Sequence, residues 1–229
     1  MSKKYVGLIG DSMDIQDLDY ILNDDNWKIN FIENKYLLSS SFLDSINSEY
    51  EILLKAKQFL DILNGAAKAI YNNHIYITAN TVYTINEQNK LQGTAFMSGK
   101  STGRSRFRAT LTIESNEKVS ENKYQKWIDK AKTDSNVREI LHYFNNQDWW
   151  NLYKIYEIIR KDLKKSGMSN LVSKNEISRF TRTANDNKII GEKARHATYD
   201  NESHNNPMDI NSARKFILDY FEKWIELKE

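Results

Sequence analysis

Asp148-Trp149-Trp150-Asn151-Leu152-Tyr153-Lys154-Ile155-Tyr156-Glu157-Ile158-Ile159-Arg160-Lys161 places apolar side chains at Leu152, Ile155, Tyr156, Ile159 and, one turn on, Leu163. Steps of three and four gather these on one side of a helix, because each residue turns the chain by about 100°. A neighbouring line at i, i+3, i+7 and i+11 holds Trp150, Tyr153, Glu157 and Lys161. The spacing therefore predicts a helix over 148–165 with a packed side and an aromatic, charged side. A plainer alternative lets Trp150 and Tyr153 finish the core and leaves Glu157 and Lys161 as an exposed i,i+4 pair worth a few tenths of a kcal/mol, about the usual value.

Helical periodicity continues on both sides of this segment. Helices are expected over 122–132, 136–144, 174–184, a short one over 191–197, and 210–228. Pro207-Met208-Asp209 supplies a stop, a cap and an early acidic charge for the last, whose apolar face carries Ala213, Phe216, Ile217, Tyr220, Phe221 and Trp224. Residues 117–229 are thus expected to form an all-helical bundle.

The first half has a different rhythm. Tyr5 to Ile9 is a short strand, the acidic and hydroxyl groups of Asp11 and Ser12 can cap a helix over 13–22, and 27–32 with 36–38 form a hairpin around Glu33-Asn34-Lys35. A long helix over 42–71 follows, with Leu53, Ala56, Leu60, Leu63 and Ala67 as its stripe. Residues 74–84 and 91–113 then alternate with period two, as in Arg106-Phe107-Arg108-Ala109-Thr110-Leu111-Thr112-Ile113, and predict a three-stranded antiparallel meander. The hydrophilic run 114–122 marks a boundary. The expected fold class is α+β: a mixed sheet-and-helix domain over 1–116, then the bundle.

Composition narrows the function classes. The 33 basic and 31 acidic side chains leave a formal charge of +2, so an anion site must be a local patch. Cysteine is absent, which excludes disulfides, thiolate nucleophiles and sulfur-ligated metals. No targeting segment and no run of about eighteen apolar residues is present, so a cytoplasmic protein without membrane contact is expected.

Three chemical motifs fail on spacing. Gly10-Asp11-Ser12 after a strand resembles the nucleophile block of SGNH-type esterases, but Tyr71, Glu139, Lys193 and Asn201 stand where the accompanying Asp-x-x-His needs an aspartate. Gly99-Lys100-Ser101 has its upstream glycine, Gly93, one residue too far away for a phosphate-binding loop, and no helix follows it. Lys100, Arg104, Arg106 and Arg108 remain as a basic strand face. His196 and His204 are separated by seven residues without a carboxylate pattern, so neither a metal nor a cofactor is expected.

What survives is the polar cluster Arg179-Phe-Thr-Arg-Thr-Ala-Asn185, Gly191 and Arg195-His196. Arg179 and Arg182 share a helix face, and Asn185 follows one turn later. Guanidinium forks suit carboxylate or phosphate, and an imidazole titrates near neutral pH. Arginines with one histidine and no metal suit a phosphodiester transfer in which the RNA 2′-hydroxyl is the nucleophile. Ion pairing of the arginines with Glu157, Asp186 or Asp209 is the structural alternative.

The run 148–161, Arg179 to Asn185, Gly191, Ala194-Arg195-His196 and Asn206-Pro207-Met208 ahead of a long amphipathic helix resemble a bacterial protein family from which no activity carries over. More distantly, the helical half is similar to HEPN domains, helical bundles of bacterial toxins and antiviral systems, many of them dimeric, metal-independent RNases. Glu157 and Lys161 match the acidic-basic pair that these domains carry four apart on an early helix. The later Arg-x4–6-His is not matched, since Arg195 adjoins His196 and seven residues separate the latter from His204. The resemblance implies a nucleic-acid-associated protein of a conflict or antiviral-defence system, with RNA and a protein partner or second copy as partners. In an endoribonuclease, Glu157, Arg195 and His196 would be catalytic, and Tyr153, Lys161, Arg179, Arg182 and Asn185 would hold the anion. The competing expectation is a non-enzymatic sensor or assembly subunit that binds a protein through its N-terminal sheet.

Overall fold

The computed structural model describes residues 3–22, 24, 26–86, 90–96, 123–168, 171–194 and 206–228. It has the expected α+β composition, with the strands in the first half and helices throughout the second. Two compact units divide the chain: one holds Met1–Leu63 and Ile75–Lys126, the other Asn64–His74 and Trp127–Glu229. The end of the long helix therefore counts with the helical unit. The expected boundary at 116/117 lies outside the described residues.

In the first unit, β1 (Lys4–Ile9), β2 (Trp27–Ile32), β3 (Lys35–Ser40), β4 (Thr78–Ile85) and β5 (Leu91–Ala95) form an antiparallel sheet in the order β2-β3-β1-β4-β5. Val6 lies between Leu38 and Val82 in register, and all three are buried, as strand alternation requires. The expected hairpin is present with a two-residue turn: Glu33 and Asn34 take positive φ values of 47° and 58°, the pairing that matches strand twist. Asp11 caps α1 (Ser12–Ile21) by accepting from the Met13 amide at 2.8 Å. That contact sets the helix start.

The helix expected over 42–71 is broken. A single turn, α2 (Ser41–Asp44), precedes α3 (Glu49–Ile70). Lys4 explains the interruption, because its amide donates to Asp44 Oδ1 at 2.7 Å and its ammonium group donates to the Ile46 carbonyl. Ser48 Oγ then accepts from the Glu51 amide at 3.3 Å and restarts the helix. On α3, Phe59 stacks on Trp27 at 4.1 Å between ring centroids. The third meander strand over 106–113, with Arg104, Arg106 and Arg108, lies outside the described residues; His74, expected to open a strand, precedes β4 as buried coil and pairs with Asn64 at 2.9 Å.

The helical unit contains α4 (Lys123–Thr133) from Trp127 on, with α5 (Ser135–Phe144), α6 (Trp149–Lys165), α7 (Lys174–Asn185), α8 (Asn187–Ile190) and α9 (Ile210–Ile225). Asp134, Asp148, Ser173, Asp186 and Asp209 cap α5 to α9, each accepting a backbone N–H of the first turn. Five helix starts are thereby set by local chemistry. The core between them is aromatic: Phe180 is fully buried within 6.0 Å of the rings of Trp149, Tyr153, Tyr156 and Phe216. Gly65, near the end of α3, meets α5 so closely that a Cβ there would lie 1.8 Å from the Leu141 carbonyl oxygen.

One polar network ties three helices together. Lys228, just beyond α9, binds Asp134 at 2.7 Å and Asp162 at 3.1 Å and lies 4.3 Å from the Trp224 ring centroid. Asp162 also accepts from Trp224 Nε1 at 2.9 Å and from Asn136 Nδ2 at 3.2 Å. Burial pushes the Asp134 carboxyl up, but the hydrogen bond and charge of Lys228 and the amides of Val137 and Asn136 outweigh it, and the pKa falls below 3.8. A depressed carboxylate contributes stability above its unfolded pKa and loses it as pH falls through the folded value. Asp134→Asn keeps a capping oxygen without the charge. The wild type should be the more stable of the two at pH 7, and denaturant titrations at stepped pH should show the gap closing below pH 3.8.

Candidate functional site

The structure divides the expected cluster among different tasks. Arg179 donates from Nε to the Asn206 carbonyl and from Nη2 to the Pro207 carbonyl, both at 3.0 Å. Thr183 is fully buried; its hydroxyl donates to the Arg179 carbonyl at 2.8 Å and accepts from the Met208 amide at 3.0 Å. These two residues fasten α7 to the chain entering α9. Asp186 and Asp209, considered above as ion-pair partners for the arginines, cap α8 and α9.

Arg182 is solvent-exposed beside a hollow of about 290 Å³ that Arg179, Glu176 and Asn206 also line. Asn185 is half-buried, and its Oδ1 is enclosed without a hydrogen-bond donor among the described residues. Gly191 takes a φ of 63°, ends α8 and opens a 3-10 turn over Gly191–Lys193, where a helix to 197 was expected. Arg195, His196 and His204 lie outside the described residues.

The charged line on α6 also separates. Tyr153 is 7% exposed, with its ring 6.0 Å from Phe180 and 5.6 Å from Tyr156, so it belongs to the core and is no surface anion ligand. Glu157 and Lys161 are exposed. At about 100° per residue, Tyr153 is turned roughly 60° from Trp150 toward the packed side, while Lys154, Ile158 and Lys165 are turned the other way. That rotation determines which α6 side chains meet solvent together.

They meet in a groove of about 600 Å³ between α5 and α6. Asn136, Glu139 and Tyr143 form one wall at i, i+3 and i+7; Lys154, Ile158, Lys161 and Lys165 run along the other at i, i+4, i+7 and i+11, with Glu157 among them. Tyr143 donates to Glu139 Oε1 at 2.9 Å. Burial, then that hydrogen bond and the Glu139 charge, push the phenol pKa up, so it remains a neutral donor. The Lys154 ammonium lies 4.8 Å from the Tyr143 ring centroid and 5.5 Å from that of Trp150.

Charge gives the groove its character. Lys154, Arg160, Lys161, Lys164 and Lys165 face it against Glu139, Glu157 and Asp162, and Asp162 is already paired with Lys228. In a chain of net charge +2 this groove is a local basic patch. Ammonium groups beside engaged carboxylates suit an anion rather than a metal cation. Lys154 and Lys165 were missed because they stand off the Trp150-Lys161 line, although the i, i+7, i+11 spacing of Lys154, Lys161 and Lys165 was legible.

The division predicts different stability effects. Thr183→Val removes the acceptor of a buried amide and should cost about 1–3 kcal/mol. Arg182→Ala should stay within about 0.5 kcal/mol, as an exposed substitution does. Equilibrium denaturation of both variants checks the contrast. The chain matches no protein-family model, no curated protein and no solved structure.

Proposed function

We propose that this chain is a nucleic-acid-associated protein whose helical unit holds RNA along the α5–α6 groove. The observation that carries this reading is the convergence of Lys154, Lys161 and Lys165 on one groove, joined at its rim by Arg160 and Lys164. Lysines along a groove neutralise successive phosphates and release counterions. Placement in a cytoplasmic bacterial conflict or antiviral-defence system rests on the resemblance of the helical half to HEPN domains. No helix among the described residues is long and apolar enough to cross a membrane.

Cleavage is the further step of this proposal. The 2′-hydroxyl oxygen attacks the adjacent phosphorus, His196 takes the hydroxyl proton, and the 5′-oxygen leaves after protonation from solvent or the same imidazole. A 2′,3′-cyclic phosphate and a 5′-hydroxyl result, with Arg195 and Arg182 balancing charge on the phosphoryl oxygens. The residue types support this chemistry. A second reading, a non-enzymatic sensor or assembly subunit, is favoured by the commitment of Arg179, Thr183 and Tyr153 to packing. Phe31, 61% exposed on the edge strand β2, suits a protein contact in that reading.

Two assays separate these readings. Fluorescence anisotropy with a labelled RNA strand should show binding that weakens at least about tenfold at 0.1 M salt when Lys161 and Lys165 are both changed to Glu; unchanged affinity would remove the groove from the account. Total RNA incubated with excess protein in EDTA should be degraded by the wild type and spared by His196→Ala. If the wild type leaves RNA intact, the nuclease step is wrong and the non-enzymatic reading stands.

A further inference from the structure

We infer that the groove takes single-stranded nucleic acid specifically, with Trp150 at its end as a stacking platform for one unpaired base. This rests on the reading of the groove as a phosphate-binding surface. Trp150 is 50% exposed, although α6 buries Trp149 and Tyr153 on either side of it in sequence. A large ring left half in water beside Lys154, which lines the basic groove, is the arrangement by which sequence-tolerant single-strand binders hold a base.

Two features distinguish Trp150 from a ring that merely covers a seam. Lys154, one turn on, holds its ammonium group 5.5 Å from the Trp150 ring centroid and 4.8 Å from that of Tyr143, which sets a positive charge against one face of the indole. His142 and Tyr143 continue the aromatic surface on α5, with ring centroids 5.7 Å apart. Beyond Lys154 the charge continues through Lys161 to Lys165, about 16 Å along the helix at 1.5 Å per residue. A base on Trp150 therefore directs its own backbone into the lysines. A duplex keeps its base faces stacked inside and cannot use the platform, and a peptide would gain little from a row of lysines without an acidic sequence of its own.

Stacking and charge respond differently to experiment. Anisotropy would be measured on the full-length protein with three labelled 12-nucleotide probes: oligouridine, an abasic ribose-phosphate strand and an RNA duplex. Wild type should bind oligouridine about tenfold more tightly than the abasic strand. Trp150→Ala should abolish that difference and leave abasic binding and the salt slope unchanged, since stacking releases no counterions. Trp150→Phe, which keeps a ring, should retain most of the preference, while the Lys161→Glu, Lys165→Glu double variant should weaken both single strands alike. Equal wild-type affinity for oligouridine and abasic strands, tightest binding to the duplex, or equal losses on both single strands in Trp150→Ala would overturn the platform and leave the groove standing. Failure of all three probes to bind at low salt would overturn both.

Discussion

Four aromatic side chains close on Phe180, and three of them, Trp149, Tyr153 and Tyr156, come from α6. This packing sets the rotation of α6 about its axis, because large rings leave water together and resist any turn that would return one of them. Once Tyr153 faces Phe180, Trp150 must face outward, and Lys154, Lys161 and Lys165 must line up toward α5. The basic groove is a consequence of the core. The residues that make it are polar, but the force that aligns them is apolar.

A second constraint fixes the opposite wall. Asn136 of α5 and Trp224 of α9 both donate to Asp162, while Lys228 joins Asp162 to Asp134, the cap of α5. The α5 start and the α9 end are thus tied to one carboxylate of α6. Truncating one partner of such a network costs more than its pairwise attraction suggests, because the remaining groups lose compensation for their partial burial. At α7, the Thr183 hydroxyl performs a comparable service by bonding in both directions, to its own helix and to the Met208 amide. Conspicuous polar residues near the C-terminus are therefore partly structural.

The sequence carried the α6 stripe, the capped starts of α1 and α9, the first hairpin and the α+β division, because each depends on local periodicity or capping chemistry. It did not carry the break at 45–48, which is imposed by Lys4 from another strand. Tyr153 shows the same limit within one helix. Its position at i+3 from Trp150 was compatible with either face, and only Phe180, from α7, decides it. Arg179 likewise looks like an anion ligand in sequence, yet its fork matches two backbone carbonyls that become neighbours only when α7 meets the chain before α9. Glu157 and Lys161 remain at the surface as expected, but their company is the α5–α6 groove.

The proposed ligand contact lies on the α5–α6 face, while the α7 pair Arg179 and Thr183 holds the fold. A backbone amide chemical-shift map of the deuterated full chain, titrated with a short single-stranded RNA, tests it most directly. Progressive shifts concentrated in residues 136–165, largest near Tyr143, Trp150 and Lys161, with at most a lesser response at Arg182, are the expected result. Shifts centred on 174–185 and 206–210 with a silent α6 would contradict it.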